Sequence, residues 1–282
     1  MSESPDASQS WISRNATLIA GIVAILCILV PYLFWKDTWF GQPLTDQQIS
    51  ENLADHEHPR KAQHALAQIS ERIGRGETDA KKWYPQIVAL SDHPLDEMRT
   101  TVAWLMGQDN EALEFHEALE RLVQDPNPLV RRNAALSLTR FGDRRGHEEI
   151  VAMLRPFTVT SPFSGELTNR LQPGDMADAG TLLARVAVPG EAEPKELRSP
   201  VPGEVRKRLV EDGATVYAGQ DVFILGPDSS HAFEALRALY LMGTPEDLED
   251  VNRFLRPSGD LPSNVVEQAR LTAENIRGRA GR

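Results

Sequence analysis

The feature that most constrains this chain is a stretch written twice between Phe157 and Leu225. Ser161-Pro162-Phe163-Ser164-Gly165-Glu166-Leu167 returns as Ser199-Pro200-Val201-Pro202-Gly203-Glu204-Val205. Each copy then passes an apolar residue (Leu171, Val210), a turn glycine (Gly174, Gly213) and a second glycine (Gly180, Gly219). Each ends in a short apolar run, Leu182 to Val186 and Val222 to Leu225. Pro and Gly at this density suit turns and exclude long helices, so short strands are expected between them. A lone three-strand unit buries too little surface to be stable, so the two halves must pair.

The segments before this duplication read differently. Residues 1–15 are polar and Ser-rich and predict a disordered tail. Residues 16–36 carry no charge until Lys36, and about 20 apolar residues at 1.5 Å rise match a ~30 Å hydrocarbon core. A single transmembrane helix is therefore expected there, with Tyr32, Trp35 and Trp39 at one interface. A cleaved signal peptide would have a shorter apolar core and a small-x-small site, whereas Tyr32-Leu33-Phe34-Trp35-Lys36-Asp37 follows. Arg14 and the α-amine against Lys36 set the N-terminus inside and the following domain extracytoplasmic, in the periplasm. Cys27 is the single cysteine, which excludes an intramolecular disulfide and a Cys-based metal site. A net charge of -11 argues against nucleic acid as a partner, because such binding neutralises phosphates with Lys and Arg. The expected partners are the bilayer, through residues 16–36, and proteins of a membrane-associated complex.

Residues 44–156 carry a helical pattern. Three loop-to-helix starts resemble one another: Asp55-His56-Glu57-His58-Pro59-Arg60, Asp92-His93-Pro94-Leu95 and Asp125-Pro126-Asn127-Pro128-Leu129. Each pairs an Asp able to cap a helix with a Pro suited to the first turn. Apolar residues then recur at spacings of three and four, and a second helix follows each: Tyr84 to Leu90, Glu111 to Val123, Glu148 to Leu154. The period of roughly 33–37 residues is that of stacked helix pairs. Residues 229–278 are helical again, with Ala232, Phe233, Leu236, Leu239 and Tyr240 on one face and Thr244 capping the next helix. A final helix from Ser263 to Ile276 leads into a tail with Arg277, Arg279 and Arg282, suited to solvent, anionic lipid or an acidic partner.

Two resemblances follow from these residues. Asp125 to Asp143, with its Pro turn, the Val130-Arg131 pair and the small Ala134 and Ala135, resembles a HEAT repeat of the short bacterial type. That resemblance implies an α-solenoid used as a binding surface and implies no catalysis. Residues 157–226 resemble the biotinyl/lipoyl-like barrel-sandwich hybrid fold through Gly203-Glu204-Val205, Glu211-Asp212-Gly213, Val216 and Gly219-Gln220-Asp221-Val222. In carrying members an acceptor lysine stands at the tip joining the halves. Here the joint is Ala187 to Glu196, and Lys195 falls a few residues late. The module is thus similar to the non-carrying one in periplasmic adaptor (membrane-fusion) subunits, although those place a long coiled-coil hairpin between the halves. The expected fold is mainly α with a β insert: a transmembrane helix, a HEAT-like solenoid, the duplicated barrel-sandwich domain and C-terminal helices.

Candidate chemistry is sparse. His56 and His58 with Asp55 and Glu57 form the densest ligand-type cluster, in a loop position typical of solvated capping sequence. His93, His116 and His147 read as isolated surface residues. No Gly-x-Ser-x-Gly, Gly-x-x-x-x-Gly-Lys or His-Glu-x-x-His occurs. The expectation is a non-enzymatic scaffold or adaptor with no catalytic residue, metal or cofactor. The alternatives are a biotin/lipoyl-type carrier or accessory enzyme subunit modified at Lys195, and a bilin-lyase-like activity.

Overall fold

The computed structural model describes residues 16–37, 43–256 and 261–281. The expected disordered tail, residues 1–15, and Trp39 lie outside them. The chain divides into two compact units, one ending at Gln68 and one beginning at Ile69.

The first unit holds α1 (Ala16–Asp37), α2 (Asp46–Ala54) and most of α3 (Pro59–Gly74). The expected transmembrane helix at residues 16–36 is corrected here: among the described residues, no helix is long and apolar enough to cross a membrane. Residues 16–37 are helical. The single-pass placement, with its periplasmic domain, rested on that span and falls with it. Helix α2 starts from a capping box, with Thr45 and Gln48 each satisfying the other's backbone N–H. Helix α3 starts at Pro59, and the Asp55 carboxylate accepts the Glu57 and His58 N–H groups (both 3.2 Å) just before it. Lys61 and His58 also bond Asp55 and hold its carboxyl down to about 2.

The second unit is a helical array interrupted by a β module. Its first-layer helices are α5 (Asp96–Met106), α7 (Pro128–Arg140), α9 (Ser229–Met242) and α11 (Ser263–Ala280), each packed on the one before it. Paired with them are α6 (Leu113–Leu122), α8 (His147–Ala152) and α10 (Leu248–Arg253), and α4 (Tyr84–Ala89) packs on α6. Alanines at the contacts (Ala103, Ala134, Ala135, Ala235, Ala269, Ala273) are all buried and let the helices approach closely. Two buried hydroxyls repeat the same bond between neighbours. Ser137 Oγ donates to the Ala103 carbonyl (2.7 Å), and Thr272 Oγ1 donates to the Leu236 carbonyl (2.8 Å).

Helix starts follow the expected Pro signal with two differences. Asn127, and not Asp125, caps α7 by accepting the Leu129 N–H at 2.8 Å. Asp125 instead receives both arms of the Arg99 guanidinium from the preceding repeat (2.7 and 3.1 Å). Pro94 stands before α5, whose N-cap is Leu95. Thr244 does form a capping box with Asp247. The final helix runs on to Ala280, four residues past the expected end.

Eight strands make the module: β1 (Phe157–Thr160), β2 (Gly165–Asn169), β3 (Met176–Ala177), β4 (Leu182–Ala187), β5 (Lys195–Arg198), β6 (Gly203–Arg208), β7 (Thr215–Val216) and β8 (Asp221–Leu225). They form two antiparallel four-stranded sheets, ordered β1-β8-β6-β3 and β5-β4-β2-β7. Replacing each strand by its counterpart in the other half turns one order into the other. Each half therefore gives two strands to each sheet. The equivalence reaches single bonds: Gly180 N–H donates to Ser199 O and Gly219 N–H to Ser161 O, both at 2.7 Å. Gly174 N–H to Val205 O and Gly213 N–H to Leu167 O are both 2.8 Å. Gly165 and Gly203 are required by packing, since a Cβ on either would overlap the carbonyl of Ala187 or Gly226. Between the sheets lie Leu167, Val186, Val205, Val216, Phe223 and Leu225, with Leu129 of α7 packed against this core.

The array continues across the insert. Arg144 at the α7–α8 turn donates to the Met242 carbonyl at the end of α9. His147 of α8 meets Asp247 at 3.0 Å, and Arg155 grips Asp250 through bonds of 3.0 and 2.6 Å.

Candidate functional site

Each first-layer helix buries one stripe and leaves another open. Helix α5 buries Val102, Ala103, Leu105 and Met106, which leaves Trp104 48% exposed. Helix α9 buries Ala232, Ala235, Leu236 and Leu239 but leaves Tyr240 and Leu241 at 40% and 62%. Tyr240 thus departs from the buried face on which its spacing had put it. Leu271 of α11 is 38% exposed. These side chains, with Leu136 of α7, line one groove of about 740 Å³ that crosses α5, α7, α9 and α11. A helix can expose one or two large apolar residues at little consequence; a shared groove of them is the kind of patch that marks an interaction site.

The polar lining is ordered along the groove. At one end His231 Nδ1 lies 3.3 Å from Asp228 Oδ2, the side chain that caps α9 through the His231 N–H (2.9 Å). Burial, then the nearby Arg132, pushes the His231 pKa down. Arg132 is itself buried, 3.5 Å from Glu149 and 5.9 Å over the Phe157 ring, and burial lowers its pKa. In the middle Arg237 pairs with Glu234 at 3.1 Å. At the other end Arg140 donates to the Gly107 carbonyl (3.1 Å) at the end of α5. Beside this end, outside the lining, Arg279 donates to the Gly243 carbonyl (2.9 Å) and to that of the lining residue Leu241.

The residues singled out in the sequence fall as follows. Lys195 is not at the tip between the halves. It is the first residue of β5, paired with Val186, and its Nζ meets Glu191 at 2.5 Å. In the His56–His58 loop, His58 Nδ1 is taken by Asp55 at 3.0 Å. The three histidines read as isolated are engaged. His93 is buried and its Nδ1 accepts the Leu95 N–H (3.1 Å), His147 meets Asp247, and His116 lies between two acids. The expected tail arginines are structured. Arg277 bonds Asn252 at 3.0 Å and Arg279 closes the end of α9, while Arg282 lies outside the described residues.

His116, Glu120 and Asp143 bring ligand-type atoms within 4.8 Å of one another, which sequence reading missed because Asp143 belongs to the next repeat. Asp143 faces His116 Nε2 at 2.8 Å and Glu120 faces Nδ1 at 3.3 Å, so the two acids address opposite edges of the ring. Arg145 binds both carboxylates, with 2.8 Å to Asp143. Burial opposes ionisation of Asp143, but bonds from the Arg145 N–H and guanidinium outweigh it and keep the carboxyl below its usual range. The Arg145 guanidinium thus bridges the two carboxylates, and the ion pairs of the cluster tie two repeats together.

Comparison with known proteins gives one family match: residues 117–144 match the HEAT repeat. No curated protein matches the chain. Among solved structures, the product-bound ectoine utilization protein EutE (DoeB) from Ruegeria pomeroyi is similar at 27% identity and a TM-score of 0.23. The likeness covers 25% of this chain and 22% of that one, too little to inform fold or activity.

Proposed function

We propose that the chain is a non-enzymatic scaffold or adaptor subunit that holds protein partners. The groove would be its docking surface and the duplicated module a fixed insert beside it. The observation that carries this reading is the shared exposure of Trp104, Tyr240, Leu241 and Leu271 on three of the four packed helices. Stacked helix pairs present extended rigid surfaces, and aromatic anchors dominate the energetics of such contacts. The matched HEAT stretch is consistent with this use, by analogy of architecture alone. The strand exchange in the module supports its likeness to the barrel-sandwich hybrid. Lysine is missing from its joining turn, 188–194, which supports a non-carrying version as in adaptor subunits. The net charge of -11 disfavours nucleic acid as the partner.

Photo-crosslinking residues placed at Trp104 and at Leu241 test the proposal in cells that make the protein, with exposed Leu113 as control. The expected result is one and the same protein adduct from both groove positions and none from Leu113. Equal labelling from all three positions would overturn the groove as docking surface. A mass increment on the peptide containing Lys195 would favour the carrier alternative.

A further inference from the structure

We infer that the segment docking in the groove is an acidic polypeptide, with a block of large apolar side chains followed by Asp or Glu. This rests on the scaffold reading and adds the chemistry of the partner. The groove is polarised. In the middle Glu234 is neutralised by Arg237, and toward one end the Asp228 carboxylate caps the start of α9 beside the lining residue His231. The opposite end holds Arg140, exposed and lining the groove, with Arg279 at the Leu241 carbonyl beside it.

Neither Arg140 nor Arg279 forms an ion pair among the described residues; their guanidinium groups rest on the carbonyls of Gly107 and Gly243. A helix C-terminus offsets only part of a full charge. A positive remainder therefore faces the groove beyond its apolar floor, although the chain as a whole carries -11. An apolar block would cover Trp104, Tyr240, Leu241 and Leu271, and carboxylates beyond it would reach Arg140 and Arg279. A basic segment would place like charges against these arginines and leave the apolar contacts to act alone.

The test uses the full chain and three fluorescein-labelled peptides. They share one Leu- and Trp-containing block, followed by four Glu, four Lys or four Gln, and binding is read by fluorescence anisotropy. The Glu peptide is expected to bind about tenfold more tightly than the Lys peptide, with the gap narrowing in high salt. Arg140→Glu should erase that preference. Arg140 bridges two helices, so Arg237→Glu, which breaks no bond between helices, is the second variant and should reduce the preference. Equal binding of all three peptides, lost in Trp104→Ala, would overturn the inference and leave the scaffold reading standing. So would a Glu preference that survives both arginine variants. Failure of all three to bind also overturns it, and crosslinking at residues 104 and 241 then decides the scaffold reading separately.

Discussion

The helical array and the β module are both built by repetition, and they use it in opposite ways. In the array a repeat is a translation. The Ser137–Ala103 bond between α7 and α5 recurs as Thr272–Leu236 between α11 and α9, and the series stays open at its ends. In the module the repeat is a two-fold exchange. β1 and β3 leave their own half to join β8 and β6, and the series closes on itself. A translated repeat can be interrupted, because each unit needs only its neighbours. An exchanged repeat cannot, because neither half owns a complete sheet. That difference explains why the module could enter the array between α8 and α9 while the contact of α7 with α9 stayed intact.

The largest expected effect breaks the module as a whole. Gly203→Val would drive a branched side chain into the Gly226 carbonyl, at a cost of about 3 kcal/mol. Amide hydrogen exchange should then show protection lost in both halves together, including Gly174 and Leu167, while α5 and α7 stay protected. Loss limited to residues 199–225 would contradict the exchanged architecture.

Smaller effects should appear in the array. Ser137→Ala and Thr272→Val each remove one buried hydroxyl bond and should cost about 1 kcal/mol. Under denaturant titration the two costs should be similar and should add in the double variant, because the sites share no partner. Strong coupling between them would mean that the array does not behave as a chain of neighbours.

The smallest effect lies where the two regions meet. His231, held neutral by burial and by Arg132 against the opposing pull of Asp228, has a folded pKa below its ordinary 6.5. As pH falls below about 6.5 the unfolded chain takes up a proton that the folded chain refuses, so stability declines until the folded pKa is passed. Thermal melts at about pH 7.5 and about pH 5.5 should show this decline, and it should flatten in His231→Gln. An unchanged slope in that variant would assign the acid sensitivity elsewhere.

Much of this architecture was legible in the sequence because its markers are local. Glycines at 165, 174, 203 and 213 announce the duplication, and Pro128 with Asn127 announces a helix start. The pairing partner of a strand is not local. Nothing in Phe157–Thr160 says that it joins β8 and not β4, since either edge would bury the same alternate residues. The Asp125 motif was visible, but its use by Arg99 and not as a cap depends on the neighbouring repeat. The groove was hidden for the same reason. Trp104 and Leu271 stand on helices separated by the whole module, and Tyr240 sits at a helical spacing that also fits burial. The apolar run at residues 16–36 shows the reverse hazard, a strong local signal that no span among the described residues supports.

The pairing of Phe157 with Leu225 also sets a timetable. A chain emerging from the ribosome at roughly 5–20 residues per second delivers β8 roughly 3–14 s after β1. Helices α5 to α8 can associate during that interval, whereas the first strand has no partner to join. The α7 surface that will receive α9 stays uncovered for longer still. A newborn chain of this protein thus passes through a stage with a finished front and an unclosed middle, when capture by a chaperone or by another chain has its widest window.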